Sequence, residues 1–266
     1  MARKLRRSEA LRNERQGVLD FCRTLSDDEW RAPSNAKGWR LQDVVAHMGG
    51  AYHGLFQPGW VVGLLRTDAL ERGNDADAAK RSDWDPQQVL AEYETWSKRA
   101  IGTLAATAKT PATALPLRLG ELGSYPAGMF LSAFTFDHHT HVWHDMAEAI
   151  GRPHPATDDN RMAVAFQWMF AGAEQMHGDE MAFLDRPVAV TLDGPGGGTW
   201  RVGPGKKPGR LRCQEGDASG TVAQISAKSL EFPLWATKRK PWWDSDVTIA
   251  GDEDHGKRFL DALKVV

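Results

Sequence analysis

Residues 136 to 146, F-D-H-H-T-H-V-W-H-D-M, contain four histidines and two aspartates. On a helix, Asp137 and His141 are four positions apart and lie on one face, with His138, His144 and Asp145 at neighbouring positions. A carboxylate oxygen and an imidazole nitrogen at this spacing can both bind a divalent ion at about 2.0–2.2 Å, which leaves room for a third ligand and an open position. The alternative interpretation is a polar helix face whose histidines do no chemistry.

The surrounding residues are strongly apolar, and they include Phe130, Phe134, Phe136, Trp143 and Met146. Buried charged groups without partners are costly, so they normally pair with one another or bind a metal. Another histidine, His47, lies in a second apolar stretch. A lone histidine of this kind is more often a satisfied core residue than a ligand, so His47 does not indicate a metal site by itself.

Apolar residues at helical spacing predict five helices that would carry these groups. They are expected at about 8–25, 40–56, 86–108, 129–150 and 158–177. Ser26 and Glu29 have the spacing of a capping box, and Asp85 before Pro86 is typical of a helix start. The polar segment 73–83 is expected to be a surface loop.

From Arg186 the pattern alternates between apolar and polar residues around a glycine-rich turn, P-V-A-V-T-L-D-G-P-G-G-G-T-W-R-V, which predicts a β-hairpin. Further strand-like stretches are L-R-C-Q, T-V-A-Q-I-S and V-T-I-A-G-D, and two helical stretches accompany them. The sequence therefore predicts an α+β protein, with a helical domain over 1–180 and a small α+β domain over 186–266.

Composition argues against several classes of partner. Lys and Arg total 33 against 35 Asp and Glu, a formal net charge of -2 that gives no positive footprint for nucleic acid or an anionic membrane. No stretch resembles a membrane span, two cysteines are too few for a disulfide framework, and the basic start M-A-R-K-L-R-R lacks a following apolar signal-peptide core. We expect a cytoplasmic monomer or homodimer with small-molecule partners.

The stretch G-W-R-L-Q-D-V-V-A-H-M, residues 38 to 48, resembles the G-W-[ST]-v-x-D-v-v-A-H-l signature of mycothiol-dependent maleylpyruvate isomerases and of the wider group with a DinB-like bundle. The signature histidine is a metal ligand in that family and corresponds to His47. The family's other ligands are an acidic residue and a histidine four positions later on a downstream helix. Asp137 and His141 match that pattern.

The resemblance extends through D-M-A-E-A-I-G-R-P and into the strand-like C-terminal stretches. It implies an up-down four-helix bundle followed by a small sterol-carrier-like α+β domain. It also implies a divalent metal, expected to be zinc, and a low-molecular-weight thiol such as mycothiol as cosubstrate. The implied enzyme is a maleylpyruvate isomerase-like enzyme or a thiol S-transferase that acts on an electrophilic small molecule.

Two departures from the family pattern leave alternatives open. The family's acidic ligand is usually Glu, and Asp137 is one methylene shorter, so His138 could pair with His141 instead. The family often has W-D soon after its second histidine, whereas Trp143 is followed here by His144 and then Asp145. We expect Asp145 to take part in catalysis or, like His144, to fix the His141 tautomer, and Trp143 to contact the thiol.

The run T-K-R-K-P-W-W, residues 237 to 243, combines cations with indoles. It is either a solvated turn or an anion-binding edge of the site. The resemblance favours the second interpretation, because basic residues of the family's C-terminal domain can bind substrate carboxylates. Lys238 is then expected to bind the cosubstrate and Arg239 to take part in catalysis, with Lys240 as an alternative.

Two other functions use the same residues differently. A non-catalytic small-molecule binding protein could keep the bundle, with a fourth ligand such as His138 or His144 closing the metal site. A metal-assisted hydrolase would need a general base near the ion, which Asp145 or Glu148 could supply.

Overall fold

The computed structural model describes residues 4–66, 70–207 and 209–266. The chain divides into two compact units, residues 4–156 and residues 157–266. This division falls earlier than the boundary expected from the sequence at 180–186, because the helix expected at 158–177 belongs to the second unit. Within the described ranges, no helix combines the length and apolar character needed to cross a membrane.

The first unit is a bundle built on four long helices. Its described helices are α1 (Arg7–Cys22), α2 (Asp27–Arg31), α3 (Leu41–Gly54), α4 (Pro58–Arg66), α5 (Leu70–Ala79), α6 (Pro86–Thr107) and α7 (Phe130–Thr140). A short antiparallel hairpin, β1 (Pro116–Arg118) and β2 (Ser124–Pro126), lies between α6 and α7. Apolar side chains of α1, α3, α6 and α7 share one core. The expected helical bundle is thus confirmed.

The helix ends follow the capping signals in the sequence. The Ser26 hydroxyl accepts from the backbone N–H of Glu29, and the Glu29 carboxylate accepts from the backbone N–H of Ser26 at 2.8 Å, which completes the expected capping box. The Asp85 carboxylate likewise accepts from the N–H of Gln87 at the start of α6. These caps satisfy N–H groups that have no partner within their own helices.

Helices α3 and α6 approach closely at Gly49. A Cβ atom at this position would lie 3.3 Å from the backbone of Tyr93, closer than an ordinary van der Waals contact. The absence of a side chain therefore lets the two backbones meet, and the large rings of Tyr52 and Tyr93 fill the space beside the contact with no exposed surface.

The prediction of a loop at 73–83 is wrong for residues 73–79, which form part of α5. The polar residues of α5 are fixed by tertiary contacts that local composition does not reveal. Trp39 donates its indole N–H to Asp75 at 3.0 Å, Trp60 donates to Asp77 at 2.5 Å, and Arg81 donates to the carbonyl of Asp77 at 2.9 Å. Helix α4 was also absent from the sequence-based prediction.

The helix expected to run unbroken to residue 150 changes its winding. After α7, residues His141–Ala147 form a π-helical segment, and Glu148–Ile150 form a 3₁₀ turn. The N–H of Glu148 bonds to the carbonyl of Trp143, five residues back. The carbonyl of His144, which an α-helix would offer to Glu148, accepts instead from the side-chain amide of Asn35 at 2.7 Å.

Over its described residues, the second unit contains a five-stranded mixed sheet and three α-helices. In chain order its elements are α8 (Asp159–Ala173), β3 (Val188–Asp193), β4 (Gly198–Pro204), β5 (Leu211–Glu215), β6 (Ala223–Lys228), α9 (Phe232–Ala236), β7 (Val247–Gly251) and α10 (Glu253–Ala262). The strand order is β5-β4-β3-β6-β7, and only the β3–β6 pair is parallel among the described strands. The antiparallel β3–β4 pair is the expected hairpin, and the α+β fold class is confirmed.

Helix α8 belongs to this unit because its aromatic residues pack there. Asp158 caps its first turn by accepting from two backbone N–H groups. Phe170 stacks on Trp200 with ring centroids 4.4 Å apart, and it also stacks on Phe232 at 5.3 Å. Phe166 meets both of these rings edge to face. The apolar face of α8 therefore completes the core of the second unit.

A buried histidine ties the last residues of the chain into the second unit. The Nδ1 atom of His177 lies 3.0 Å from the carbonyl of Ala173, and its Nε2 atom accepts from the backbone N–H of Lys264 at 2.9 Å. This pair of bonds requires the neutral tautomer with the proton on Nδ1. Burial lowers the pKa of His177 below its usual value.

The free energy of unfolding should depend on pH through the protonation of His177. Because the pKa of His177 is lower in the folded protein, its stabilising contribution is complete above the unfolded pKa, near 6.5, and is lost as the pH falls through the folded pKa. Replacing His177 with Gln should flatten the decline of the unfolding free energy in this acidic range. The replacement should also cost about 1 kcal/mol at pH 8, the contribution of a typical hydrogen bond. Denaturant titrations of both proteins from pH 5 to 8 test this, and parallel pH profiles would contradict it.

Candidate metal centre

Three potential ligand atoms converge in the first unit. The Nε2 atom of His47 lies 3.6 Å from Oδ1 of Asp137, and the Nε2 atom of His141 lies 3.5 Å from the same oxygen. All three atoms lie within 4.8 Å of one another, and no other group of three or more such donors in the described ranges meets this criterion. Two imidazole nitrogens and one carboxylate oxygen form a donor set suited to zinc, and three protein ligands leave a fourth position open.

Helix α3 places His47 in this group. Its first turn is held by Asp43, which accepts from the backbone N–H of Arg40 and forms an ion pair with the Arg40 guanidinium. The helix then buries one apolar face, including Val44 and Met48, in the bundle core. His47 is only 7% exposed, and its Nε2 atom faces Asp137 of α7.

The other two donors come from the end of α7 and the start of the π-helical segment. The Nδ1 atom of His141 lies 2.7 Å from Oδ2 of Asp145, and Asp145 has no exposed surface. This hydrogen bond holds a proton on Nδ1, so Nε2 is the nitrogen that would bind a metal after losing its own proton. Asp145 therefore lies beside the candidate ligand His141, where its expected role in fixing the His141 tautomer would place it.

The charges of the site are strongly coupled in the metal-free protein. Burial opposes the ionised form of Asp137, but the imidazoles of His141, His138 and His47 hold the pKa of this carboxyl well below its usual range. Burial also disfavours protonated His141, but Asp137 and Asp145 outweigh it and raise the pKa of His141 to about 9. The metal-free site at neutral pH is therefore a buried imidazolium between two carboxylates.

Zinc uptake should consequently release a proton. A metal ligand must be deprotonated, and His141 carries its proton at pH 7 because its pKa is about 9. We expect the apparent zinc affinity to rise about tenfold per pH unit from pH 6 to 8. Calorimetric titrations in buffers of different ionisation enthalpy measure the number of protons released. A value near zero at pH 7 would contradict the ion-paired site.

Trp39 is a further residue at the site that sequence reasoning missed. Its indole ring lies 5.1 Å from the ring of His47 and 6.4 Å from that of His141, measured between centroids. The indole N–H donates to Asp75 of α5, which fixes the ring against both imidazoles. The signal was present in the sequence, because Trp39 is the tryptophan of the G-W pair that opens the 38–48 motif.

The alternative ligand His138 faces away from the group of donors. Its ring lies against Tyr52 at 5.3 Å and Tyr93 at 5.6 Å, with no exposed surface. Its Nδ1 atom is 3.3 Å from Oδ2 of Asp137, whereas His47 and His141 face Oδ1 of the same carboxylate. This His138 contact does not have the geometry of a hydrogen bond. This arrangement favours Asp137 over His138 as the ligand.

Trp143 and His144 lie in a different cluster. Trp143 stacks on His154 with ring centroids 4.4 Å apart and contacts His139 at 4.6 Å. The Nδ1 atom of His144 lies 2.8 Å from Glu148, whose carboxylate also lies 3.1 Å from Nε2 of His154. His144 is thus engaged with Glu148 and not with His141, and the expected role of Trp143 toward the thiol stays a prediction.

The basic residues expected at the site belong to the second unit. The Lys238 ammonium donates to the carbonyls of Leu260 and Asp261 at the end of α10, an arrangement that neutralises exposed helix-end carbonyls. Burial lowers the pKa of Lys238. Arg239 follows it in the turn after α9. Their roles toward cosubstrate and substrate also stay predictions.

Comparison with known proteins gives a family and a fold. The family profile described as "Mycothiol maleylpyruvate isomerase N-terminal domain" matches residues 11–147. A crystal structure of the mycothiol-dependent maleylpyruvate isomerase matches with a TM-score of 0.56 and 15% identity, covering 92% of this chain and 91% of that one. A histidine-to-alanine variant of that isomerase matches with a TM-score of 0.55, 14% identity and the same coverage. No curated protein matches by sequence.

Proposed function

Since the chain belongs to the mycothiol maleylpyruvate isomerase N-terminal domain family, we propose that it is a divalent-metal-dependent enzyme that uses a low-molecular-weight thiol, such as mycothiol, as cosubstrate. The observation that carries the proposal is the convergence of His47, Asp137 and His141 from two helices within 4.8 Å. Its substrate would be a small conjugated electrophile, with maleylpyruvate as the first candidate from the family name. Zinc is the metal that this donor set suits best.

A bound zinc ion would lower the pKa of a thiol and so favour the reactive thiolate. The chain's own contribution is to hold the three donors in place. Asp145 orients His141 through Nδ1, and Trp39 lies against the rings of both histidine ligands. No protein cysteine is needed, which agrees with burial raising the pKa of Cys22 and Cys213 and keeping both as thiols.

The isomerisation itself conserves every atom. The thiol sulfur adds to one carbon of the conjugated double bond, which becomes a single bond and can rotate. Elimination of the thiol then restores the double bond in the opposite geometry, and the thiol is recovered. In a thiol S-transferase the same addition would occur, but the carbon–sulfur bond would be kept in the product.

The structure is less favourable to the two other functions. A hydrolase needs a free general base, yet Asp145 is engaged by His141, and Glu148 is engaged by His144 and His154. A purely structural metal site would be closed by a fourth protein ligand. Among the described residues the cluster has three donors, as open catalytic zinc sites do.

Metal analysis and a thiol-dependent assay test this function together. The purified protein should contain about one divalent ion per chain. It should convert maleylpyruvate to its trans isomer only when mycothiol is added. Recovery of the thiol indicates isomerisation, whereas its stoichiometric consumption indicates S-transfer. A protein that takes up no zinc after incubation with it would overturn the proposal.

A further inference from the structure

The loop between α2 and α3 is joined to the π-helical segment by two hydrogen bonds. The side-chain amide of Asn35 donates to the carbonyl of His144 at 2.7 Å, and the backbone N–H of Asn35 donates to the carbonyl of Asp145 at 3.0 Å. The two partners are more than a hundred residues apart in the sequence. Because a carbonyl only accepts, the donor end of the amide must face His144.

These bonds meet the helix where its winding departs from the α form. The His144 carbonyl would bond to the N–H of Glu148 in an α-helix, but that N–H bonds to Trp143 instead. Asn35 therefore donates to a carbonyl that does not pair with the N–H of Glu148. π-helical turns are rare and are frequently found at functional sites.

The same turn carries Asp145, the partner of the His141 ligand. Its carboxylate bonds to Nδ1 of His141 at 2.7 Å, and its backbone carbonyl is the one held by Asn35. A continuous path of hydrogen bonds thus runs from Asn35 through Asp145 to His141. Each group in this path fixes the position of the next one.

The loop that holds Asn35 also holds Trp39. The backbone N–H and the hydroxyl of Ser34 both donate to the carbonyl of Trp39, at 2.9 and 2.8 Å. An isolated β-bridge between Pro33 and Arg40 closes the loop at its base. The loop is therefore a compact unit that contacts the π-helical segment at one end and presents Trp39 to both histidine ligands at the other.

We propose that Asn35 is a positioning residue for the metal centre, which holds the π-helical turn so that Asp145 orients His141. This role rests on the proposed metal-dependent function. Asn35 is solvent-exposed, and it acts only through other residues. Its side-chain amide is the specific requirement, because a carboxylate of the same shape would place an acceptor against the His144 carbonyl.

Two substitutions separate the side-chain contact from the backbone contact. Asn35→Ala removes the amide donor but keeps the backbone N–H for Asp145. Asn35→Asp keeps the shape and sets oxygen against oxygen. Asn13, an exposed residue of α1, provides the matched controls Asn13→Ala and Asn13→Asp. The exposure of both sites makes folded variants the expected outcome.

Zinc affinity, measured by competition with a chromophoric chelator, should fall about tenfold in Asn35→Asp and less in Asn35→Ala. The visible spectrum of the Co²⁺ protein, which reports ligand geometry, should change in the Asn35 variants. Amide hydrogen exchange of residues 141–151 in the metal-free protein should accelerate, while exchange in α1 stays native. Both Asn13 variants should match the native protein in all three measurements.

The outcomes distinguish this proposal from the proposed function. Native zinc affinity and a native Co²⁺ spectrum in Asn35→Asp would overturn the role of Asn35 even if its melting temperature falls, since a purely structural contact lowers only stability. Unchanged exchange in residues 141–151 would overturn the hold on the π-helical turn. If the native chain binds neither Zn²⁺ nor Co²⁺, the metal centre itself is overturned, and the role of Asn35 toward it falls too.

Discussion

The His141→Ala protein should lose its stoichiometric zinc and its thiol-dependent activity. His141 supplies one of three donor atoms, and removal of a direct ligand should weaken binding by more than the roughly 10–100-fold seen when only an outer partner is lost. The change also leaves Asp137 and Asp145 without the imidazole between them. Asp145 is fully buried, and breaking a buried ion pair by removing one partner costs about 3–5 kcal/mol, so the variant should also be less stable.

A second ligand variant keeps this test independent of folding. His47→Gln removes a donor that makes no contact with Asp145, so its loss of zinc should come with a smaller loss of stability. His154→Ala is the matched control, because His154 lies in the same unit, bonds to Glu148 and is not a ligand. Elemental analysis and thermal unfolding of the His141→Ala, His47→Gln and His154→Ala proteins test the site. Retention of zinc by both ligand variants would reject the site.

The Glu92→Gln protein should be destabilised by roughly 3 kcal/mol. Glu92 of α6 is bound by the Arg81 guanidinium through two nitrogens and by Nδ1 of His53 at 2.8 Å. The side chains of Glu92 and Arg81 are only 6% and 10% exposed, so neutralising Glu92 leaves a buried guanidinium without its counter-charge. Arg81 also donates to Asp77 of α5, so the damage should reach the helix that holds Trp39.

Glu94, two residues along the same helix, gives the control. Its ion pair with Arg23 has both side chains 48% exposed, and Glu94→Gln should change stability by less than about 1 kcal/mol. Burial raises the pKa of Glu92, but Arg81 and His53 outweigh it and hold the pKa below its usual value. The native protein therefore loses this contribution as the pH falls through that lowered pKa, and Glu92→Gln should not. Equal destabilisation by the two substitutions in denaturant titrations would contradict the argument.

The helices and the group of candidate ligands were predictable where the signal is local. Ser26 with Glu29 and Asp85 with Pro86 mark helix starts by capping chemistry, and the structure has both. The spacing of Asp137 and His141 identified one helix face, and only the 38–48 resemblance added His47. The structure brings these three side chains together.

Features that depend on distant contacts were not predictable from local pattern. The polar composition of α5 predicted a loop. The neighbouring sequence gives no sign that the indoles of Trp39 and Trp60 donate to the carboxylates of this helix. The change of winding at His141 was missed for the same reason. The carbonyl of His144 in this segment is bonded by the amide of Asn35, a contact that no helical periodicity registers. The fold class was accessible from the sequence, but the geometry around the ligands was not.

The π-helical segment also bears on how the chain should be aligned with its relatives. A π turn holds one more residue than an α turn, so a helix can absorb an insertion there and resume its course. By the resemblance, the frequent W-D pair of the family would be separated here by His144, which falls inside the segment His141–Ala147. An alignment that inserts a one-residue gap at this point keeps Asp137 and His141 in register with the family's ligands. It also pairs Asp145 with the family's aspartate.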